Sequence, residues 1–343
     1  MNKKYSELAE LFRSEKTDEE ILDFLLNYHK NDIADMMAGM TEEERKRLYH
    51  LLGAQKVAEI FKYIEEPRKY IRELSVESAA RVISEMDSDD AVDLLEDLDP
   101  EEKEQIVRML DEDAKKDVKM LLSYDEEEIG SCMTTNYICI PENLTIRQAM
   151  SELVKQAGEN DNIMTIYVVD EKGVFAGAID LKDLIRAREN AHLEDLVLKS
   201  YPYVTDHEKI DDCMDRILDY AEDSIPVLSE DKKILGVITS EDLIEMVDNE
   251  MGEDYAKLAG LTAEEDLKEP TLQSMKKRLP WLIILLFLGM AVSSVVGLFE
   301  NVVAVLPIVI CFQSLVLDMA GNVGTQSLAV TIRVLMDESL TGK

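Results

Sequence analysis

The residues here that could do chemistry are carboxylates set at helical spacing. Asp89 and Asp93 are four apart, which puts both on one face of a helix. Asp242 and Glu245 are three apart, as are Glu250 and Glu253, with Asp254 beside the second pair. Oxygen-only clusters of this kind suit hard cations, which prefer oxygen ligands. Any one of these acids alone also reads as part of a solvated face. Thiols and imidazoles offer less. Cys132, Cys139, Cys213 and Cys311 show no C-x-x-C spacing, and His29, His50, His192 and His207 form no ligand pattern with them. This argues against a zinc site or a disulfide framework and for reduced thiols.

Charge is as lopsided as the acid pairs suggest. The 343 residues hold 37 Lys plus Arg against 72 Asp plus Glu, a net charge of −35. Such a surface repels nucleic acid and attracts cations, so no nucleic-acid partner is expected. Beyond residue 270 the only acids are Glu300, Asp318, Asp337 and Glu338, so the negative charge belongs to the region before it. Residues 1–25 lack the form of a secretory signal. No nucleophile–base constellation or cofactor loop is visible, which argues against an enzyme.

The elements that position the acids follow from periodicity. Residues 1 to about 125 read as short helices, with apolar positions such as Ile33, Met36, Met37 and Met40, then Val57, Ile60, Phe61 and Ile64. Thr41 and Glu44 form a capping-box pattern, and Asp99-Pro100 opens another helix. Short helices joined by tight turns predict a small α-superhelix. From about residue 133 an internal repeat appears. Ile138–Ile140, the helix 144–154, Ile166–Asp170, a strand from Gly177 and the helix 181–187 recur as Tyr203-Val204, 210–220, Ile225–Leu228, Gly236–Thr239 and a helix from Glu241. The phrases Tyr167–Gly177 with Asp183, and Ile225–Gly236 with Asp242, resemble a tandem CBS pair.

An acidic helix runs from Glu241 to about Leu267, and then comes the basic cluster Lys276-Lys277-Arg278. Trp281–Phe299 carries no charge, and its 19 residues span about 28 Å as a helix, close to a bilayer's hydrocarbon thickness. The basic cluster places its start on the cytosolic side. Val302–Leu317 is apolar again and continues through Asp318 into a segment with Gly321, Asn322, Gly324, Thr325 and Gln326. Polar residues at such depth face a bundle interior or a water path, and glycines permit close helix packing.

The order of these parts resembles the MgtE magnesium transporters along essentially the whole chain. The matching stretches are Ser123–Thr134, Trp281–Ile284 with Gly289–Ser294, and Ala320–Ser327. The fold implied is multidomain: an all-α superhelical N domain over 1–130, an α/β tandem CBS pair over 131–190 and 191–247, a linking (plug) helix over 248–275, and an α-helical transmembrane region over 276–343. That region holds two of the family's five membrane helices, and the pore aspartate of the fifth is not in this sequence, so the resemblance implies a piece of a longer protein. It further implies a homodimer in the cell (inner) membrane, multi-pass, with cytoplasmic N-terminal domains. Magnesium would be both transported and regulatory. The regulatory sites would fall on Glu59, Asp89, Asp93, the backbone at Gly130, Asp242, Glu245, Glu250, Glu253 and Asp254, and the pore lining on Gly321, Asn322, Gly324 and Gln326. Some members bind ATP. Lys182 and Asp183 match the basic–acidic pair of that pocket, whereas Met164-Thr165 and Lys199-Ser200 stand where its aromatic and Asn-Pro elements belong. The alternatives are a CBS-regulated transporter of another divalent cation and a fragment that only senses.

Overall fold

The computed structural model describes residues 17–335 apart from 65, 159, 189–190, 249–270 and 300–306. These residues fall into two units, Met1–Leu243 and Ile244–Lys343.

The first unit begins with eight helices: α1 (Asp18–Leu25), α2 (Lys30–Met37), α3 (Glu42–Phe61), α4 (Pro67–Ile71), α5 (Val76–Ser84), α6 (Ser88–Glu96), α7 (Pro100–Met109) and α8 (Glu112–Leu121). Their ends follow local chemistry. The Thr41 N–H donates to Glu44 Oε2 at 2.8 Å, while the Glu44 N–H donates to Thr41 Oγ1 at 3.3 Å. Pro100 stands at the first position of α7, where its missing N–H costs nothing. Inside α3 the chain kinks at Gly53, whose φ of 76° and ψ of 170° suit glycine alone. Each helix packs on one further along, α5 on α7 and α6 on α8, which is the superhelical arrangement. Leu48, Phe61, Ile71, Ile83, Leu94, Leu95 and Leu121 fill the core. The buried Arg45 guanidinium is held by Glu73, by the carbonyls of Met37 and Met40, and by the Tyr70 ring 5.1 Å away.

Two three-stranded modules follow. The first is β1 (Ile138–Pro141), α9 (Ile146–Gln156), β2 (Thr165–Val169), β3 (Phe175–Asp180) and α10 (Leu181–Arg186). The second is β4 (Val204–Thr205), α11 (Ile210–Leu218), β5 (Ser224–Leu228) and β6 (Ile234–Thr239), followed by helical residues 240–248. Both sheets have the same order, with a parallel first pair and an antiparallel second pair. Even the bulges correspond, at Val168/Val169 and at Val227/Leu228. The predicted repeat is thus present strand for strand.

The modules interlock through glycine. Leu198 crosses Gly177, donating its N–H to Ala178 O at 2.8 Å, and Thr134 crosses Gly236, donating to Val237 O at 2.8 Å. A Cβ at Gly236 would lie 2.7 Å from Thr134 O, and one at Gly177 only 2.5 Å from Leu198 O. Tyr167 Oη and Ser224 Oγ, 2.6 Å apart, join the two sheets in a buried contact.

In the second unit, α12 (Thr271–Leu298) and α13 (Pro307–Leu335) are long and apolar. Among the described residues one helix, Leu279–Leu298, is long and apolar enough to cross a membrane, with a mean hydropathy of 2.4. The polar segment does not interrupt α13: Asp318 and Asn322 stand one turn apart, and Thr325 Oγ1 returns its proton to Gly321 O. Two spans were expected from the sequence, the second from Val302, and residues 302–306 lie outside the described ones. The first span also begins two residues earlier than expected, because α12 starts at Thr271 and runs unbroken through the basic cluster and Pro280.

Since the atom met at Gly236 is backbone, relaxation there moves a strand. Gly236→Ala is expected to cost about 1–3 kcal/mol of stability, read as a lower thermal unfolding midpoint. Unchanged unfolding would mean that the 134–237 crossing does not hold the modules together.

Candidate functional site

The helical domain meets the modules through short polar contacts. The Ser88 hydroxyl, at the start of α6, accepts the Thr135 N–H at 2.9 Å, and Asp87 accepts Asn136 Nδ2 at 2.7 Å. Further along, the Gly130 N–H donates to Asp206 O and the Ile129 N–H to Glu208 O. A Cβ at Gly130 would meet Asp206 O at 2.7 Å, so glycine is needed for this close approach. Between these contacts lies a cavity of about 220 Å³, lined by eight carboxylates and two lysines. Glu59, Glu85, Asp87, Asp89 and Asp90 come from the helical domain. Asp161 comes from the first module, and Glu241 and Asp242 from the second.

Helix starts aim the central acids. Asp89 and Asp90 occupy the first turn of α6, where the helix N-terminus favours negative charge. Asp242 sits at the start of the 240–248 helix, with its carboxylate accepting the Thr239 N–H at 2.7 Å. Two helix starts, one from each domain, thus direct carboxylates into one space. Burial pushes the Asp89 carboxyl well up, and the charges of Asp242, Asp90 and Asp87 add to the shift. Asp90 is raised to about 7, by burial against the pull of Lys62. Asp242 is also raised by burial, opposed by the hydrogen bonds from Thr239 and by Lys62. Asp89 keeps some solvent-exposed surface, but its Oδ1 is sealed and has no hydrogen-bond partner. A sealed carboxylate oxygen is costly to leave unmatched.

The two lysines partly offset this charge. Lys62 Nζ lies 3.2 Å from Glu241, 3.7 Å from Asp87 and 4.0 Å from Asp90, and Lys30 pairs with Glu59 at 2.9 Å. Among the described residues no three acidic, histidine or cysteine side chains already converge on one point. The donor set is nonetheless all oxygen, and with the orphaned Asp89 Oδ1 it fits a hard divalent cation.

Of the sequence candidates, Glu59, Asp89 and Asp242 line this cavity. Asp93 shares the α6 face but lies a turn beyond the cavity, exposed, its charge felt by Cys132 and Asp90. Gly130 spends its N–H on Asp206 and does not line the cavity. Glu245 is exposed in the second unit. Glu250, Glu253 and Asp254 lie outside the described residues. Glu85, Asp87, Asp90, Asp161, Glu241, Lys30 and Lys62 were missed. The run Asp87–Asp90 and the neighbour pair Glu241-Asp242 were the available signals for three of these acids, and nothing in the sequence singled out the lysines. Lys182 and Asp183 stand exposed on α10, and the nearby Asp180 raises the partly buried Glu222 carboxyl, after burial itself. That charge is unfavourable to a bare polyphosphate. Asp318, Gly321, Asn322, Gly324 and Gln326 are all exposed on α13.

A helical domain closing an acidic cavity against a CBS pair is the architecture of a regulatory region, and apolar helices follow it in the chain. Residues 28–127 match the MgtE intracellular N domain, and residues 127–190 and 193–249 match the CBS domain. The magnesium transporter MgtE of Enterococcus faecalis is 39% identical over 339 residues, covering 98% of this chain and 74% of that protein. The one of Bacillus subtilis is 32% identical over 224 residues, covering 64% of this chain and 49% of that protein. Two solved structures share the fold. The soluble part of a magnesium transporter gives a TM-score of 0.69 at 30% identity, covering 72% of this chain and 98% of its own. The cytosolic domain of the Mg2+ channel MgtE in complex with ATP gives 0.63 at 26% identity, covering 70% and 99%. The chain belongs to the MgtE family of magnesium transporters.

Asp90 gives the cavity a pH signature. Its folded pKa lies above its unfolded value, so the folded state gains stability from the proton at low pH. That contribution is lost as pH rises from about 4 towards about 7. With EDTA present, stability is expected to fall between pH 5.5 and pH 8 by about 2 kcal/mol, read as a thermal midpoint lower by about 4–8 °C. Asp90→Asn should flatten that part of the profile. An unaltered slope in the variant would remove Asp90 as its source.

Proposed function

We propose that this chain is the sensing part and the beginning of the membrane part of a magnesium transporter, gated by magnesium on the cytosolic side. The observation that carries the reading is the sealed Asp89 Oδ1, on a carboxyl that feels the charge of Asp242 across the cavity between the helical domain and the second module. Without a cation, Asp87, Asp89, Asp90, Glu241 and Asp242 repel one another and favour separation of the two domains. A bound divalent cation supplies two positive charges and takes carboxylate oxygens from both sides. The carboxylates then hold the helical domain against the modules, and the two-state balance shifts towards closure by the difference in cation affinity. High cytosolic magnesium would thus shut its own entry route, through the linking segment over 248–275, of which 249–270 lie outside the described residues.

On the same reading α12 and α13 belong to a multi-pass domain in the cell membrane, with the sensor cytoplasmic. Asn322 and its neighbours Gly321, Gly324 and Gln326 line the ion's path, since an amide in lipid would lack partners. The protein works as a homodimer and not as an enzyme. A nucleotide at Lys182 and Asp183 has support only from the ATP complex of the related cytosolic domain.

Magnesium at millimolar levels is expected to reduce the radius of gyration of the detergent-solubilised chain, and sodium chloride at matched ionic strength to do much less. Asp89→Ala should raise the magnesium needed for half the response by about tenfold or more. Equal dimensions with and without magnesium would end the gating mechanism. In a transporter complete in its membrane domain, Asn322→Leu should lower uptake severalfold while leaving membrane insertion intact. Uptake at the unaltered rate would place the path elsewhere.

A further inference from the structure

Lys62 has a position the sensing reading does not require. It caps the C-terminal end of α3, its N–H bonded to the carbonyls of Ala58 and Ile60, which fixes the base of the side chain. The chain then reaches across the domain boundary. Its ammonium is 3.2 Å from Glu241 of the second module, while Asp87 and Asp90 of its own domain lie at 3.7 and 4.0 Å. Lys62 and Asp87 are each 29% exposed and Asp90 28%, so their pairs are less screened than surface ones, whereas Glu241 is 63% exposed and its pair with Lys62 is the more screened of the three. Burial disfavours the charge, but Asp90, Asp87 and Glu241 outweigh it and hold the amine protonated well above the usual lysine range. The cavity therefore carries a permanent positive charge of its own, at the place where a divalent cation would be drawn.

We propose that Lys62 is a tethered counter-ion that both latches the helical domain to Glu241 in the absence of divalent cations and competes with them, so setting the concentration at which the sensor responds. This rests on the cavity being the sensing site. Two effects of opposite sign follow from one charge. An ammonium bridging Asp87, Asp90 and Glu241 offsets part of the repulsion that would otherwise separate the domains. The same ammonium repels an entering cation and occupies oxygens that it would use. A single charge cannot satisfy eight carboxylates even with Lys30 beside it, so the cavity keeps an appetite for a second cation. Asp89, whose sealed oxygen Lys62 does not reach, is where that appetite is greatest.

The test is hydrogen exchange by mass spectrometry on the full chain in detergent, following peptides over 85–96, in EDTA and across a magnesium chloride titration at constant ionic strength. Lys62→Met keeps the stem and removes the charge. In EDTA these peptides are expected to exchange severalfold faster than in the unaltered chain, and the magnesium midpoint should fall by about tenfold. Lys62→Arg should keep both values within about twofold. Glu241→Gln should reproduce the faster exchange in EDTA without lowering the midpoint, because it breaks the latch but removes an oxygen charge. Equal exchange of Lys62→Met and the unaltered chain in EDTA overturns the latch. A midpoint in Lys62→Met that is unchanged or higher overturns the competition. If magnesium protects the unaltered chain no more than sodium at matched ionic strength, the sensing reading fails and the competition with it, and the EDTA comparison alone then decides the latch.

Discussion

Mutual repulsion among carboxylates at the boundary between the helical domain and the CBS pair is the constraint on which the rest depends. A folded protein normally pairs or solvates its acids. Here Asp89, Asp90 and Asp242 are held close and partly out of water, and their carboxyls are all raised above the ordinary range. A structure can sustain this only if other interactions fix the two sides. The crossings of Gly130 at Asp206 and of Ser88 at Thr135 do so with bonds that do not depend on ionisation. The cost is therefore local to the cavity, and it can be relieved there by a proton, an ammonium or a divalent cation.

The helix starts explain how such crowding is built without strain in the backbone. The first turns of α6 and of the 240–248 helix each present acids where the helix N-terminus lowers their cost. Within either domain alone these acids would be ordinary first-turn residues. Only when the two starts face one cavity does the sum become a demand for positive charge. The lysines that meet part of that demand come from the helical domain, Lys30 at the start of α2 and Lys62 at the end of α3. The fold places both cations and anions by helix ends, which are rigid, and so the cavity's charge balance is fixed by architecture more than by flexible side chains.

The two units differ in what their sequences are asked to do. The first concentrates negative charge on a surface that meets water and ions. The second carries apolar helices, one of them with a mean hydropathy of 2.4, and a short polar stretch around Asn322 that continues the helix without a break. In that stretch Thr325 satisfies its hydroxyl against Gly321, and Asn322 approaches Asp318. Thr325 is thus satisfied along the helix itself, whereas Asn322, 3.5 Å from Asp318, keeps most of its amide's hydrogen-bonding capacity unused.

Periodicity and capping chemistry in the sequence by themselves determined the order of elements. Thr41 with Glu44 and Asp99 with Pro100 act within a few residues, so local pattern was sufficient to place those helices. The repeat around Gly177 and Gly236 was equally legible as an order of strands and helices along the chain, while the pairing and the bulges came from the structure. Asp89 and Asp242 were readable as candidates because carboxylates at helical spacing are a visible pattern. The tertiary structure alone decided which acids share a space. Asp93 obeys the same spacing as Asp89 yet falls a turn beyond the cavity. Asp87, Asp90 and Glu241 enter it, and Lys62 spans it from a position with no distinguishing neighbour in the chain. Electrostatic interaction depends on distance through space, and Lys62 and Asp89 of the helical domain come within reach of Glu241 and Asp242 only when that domain rests on the second module.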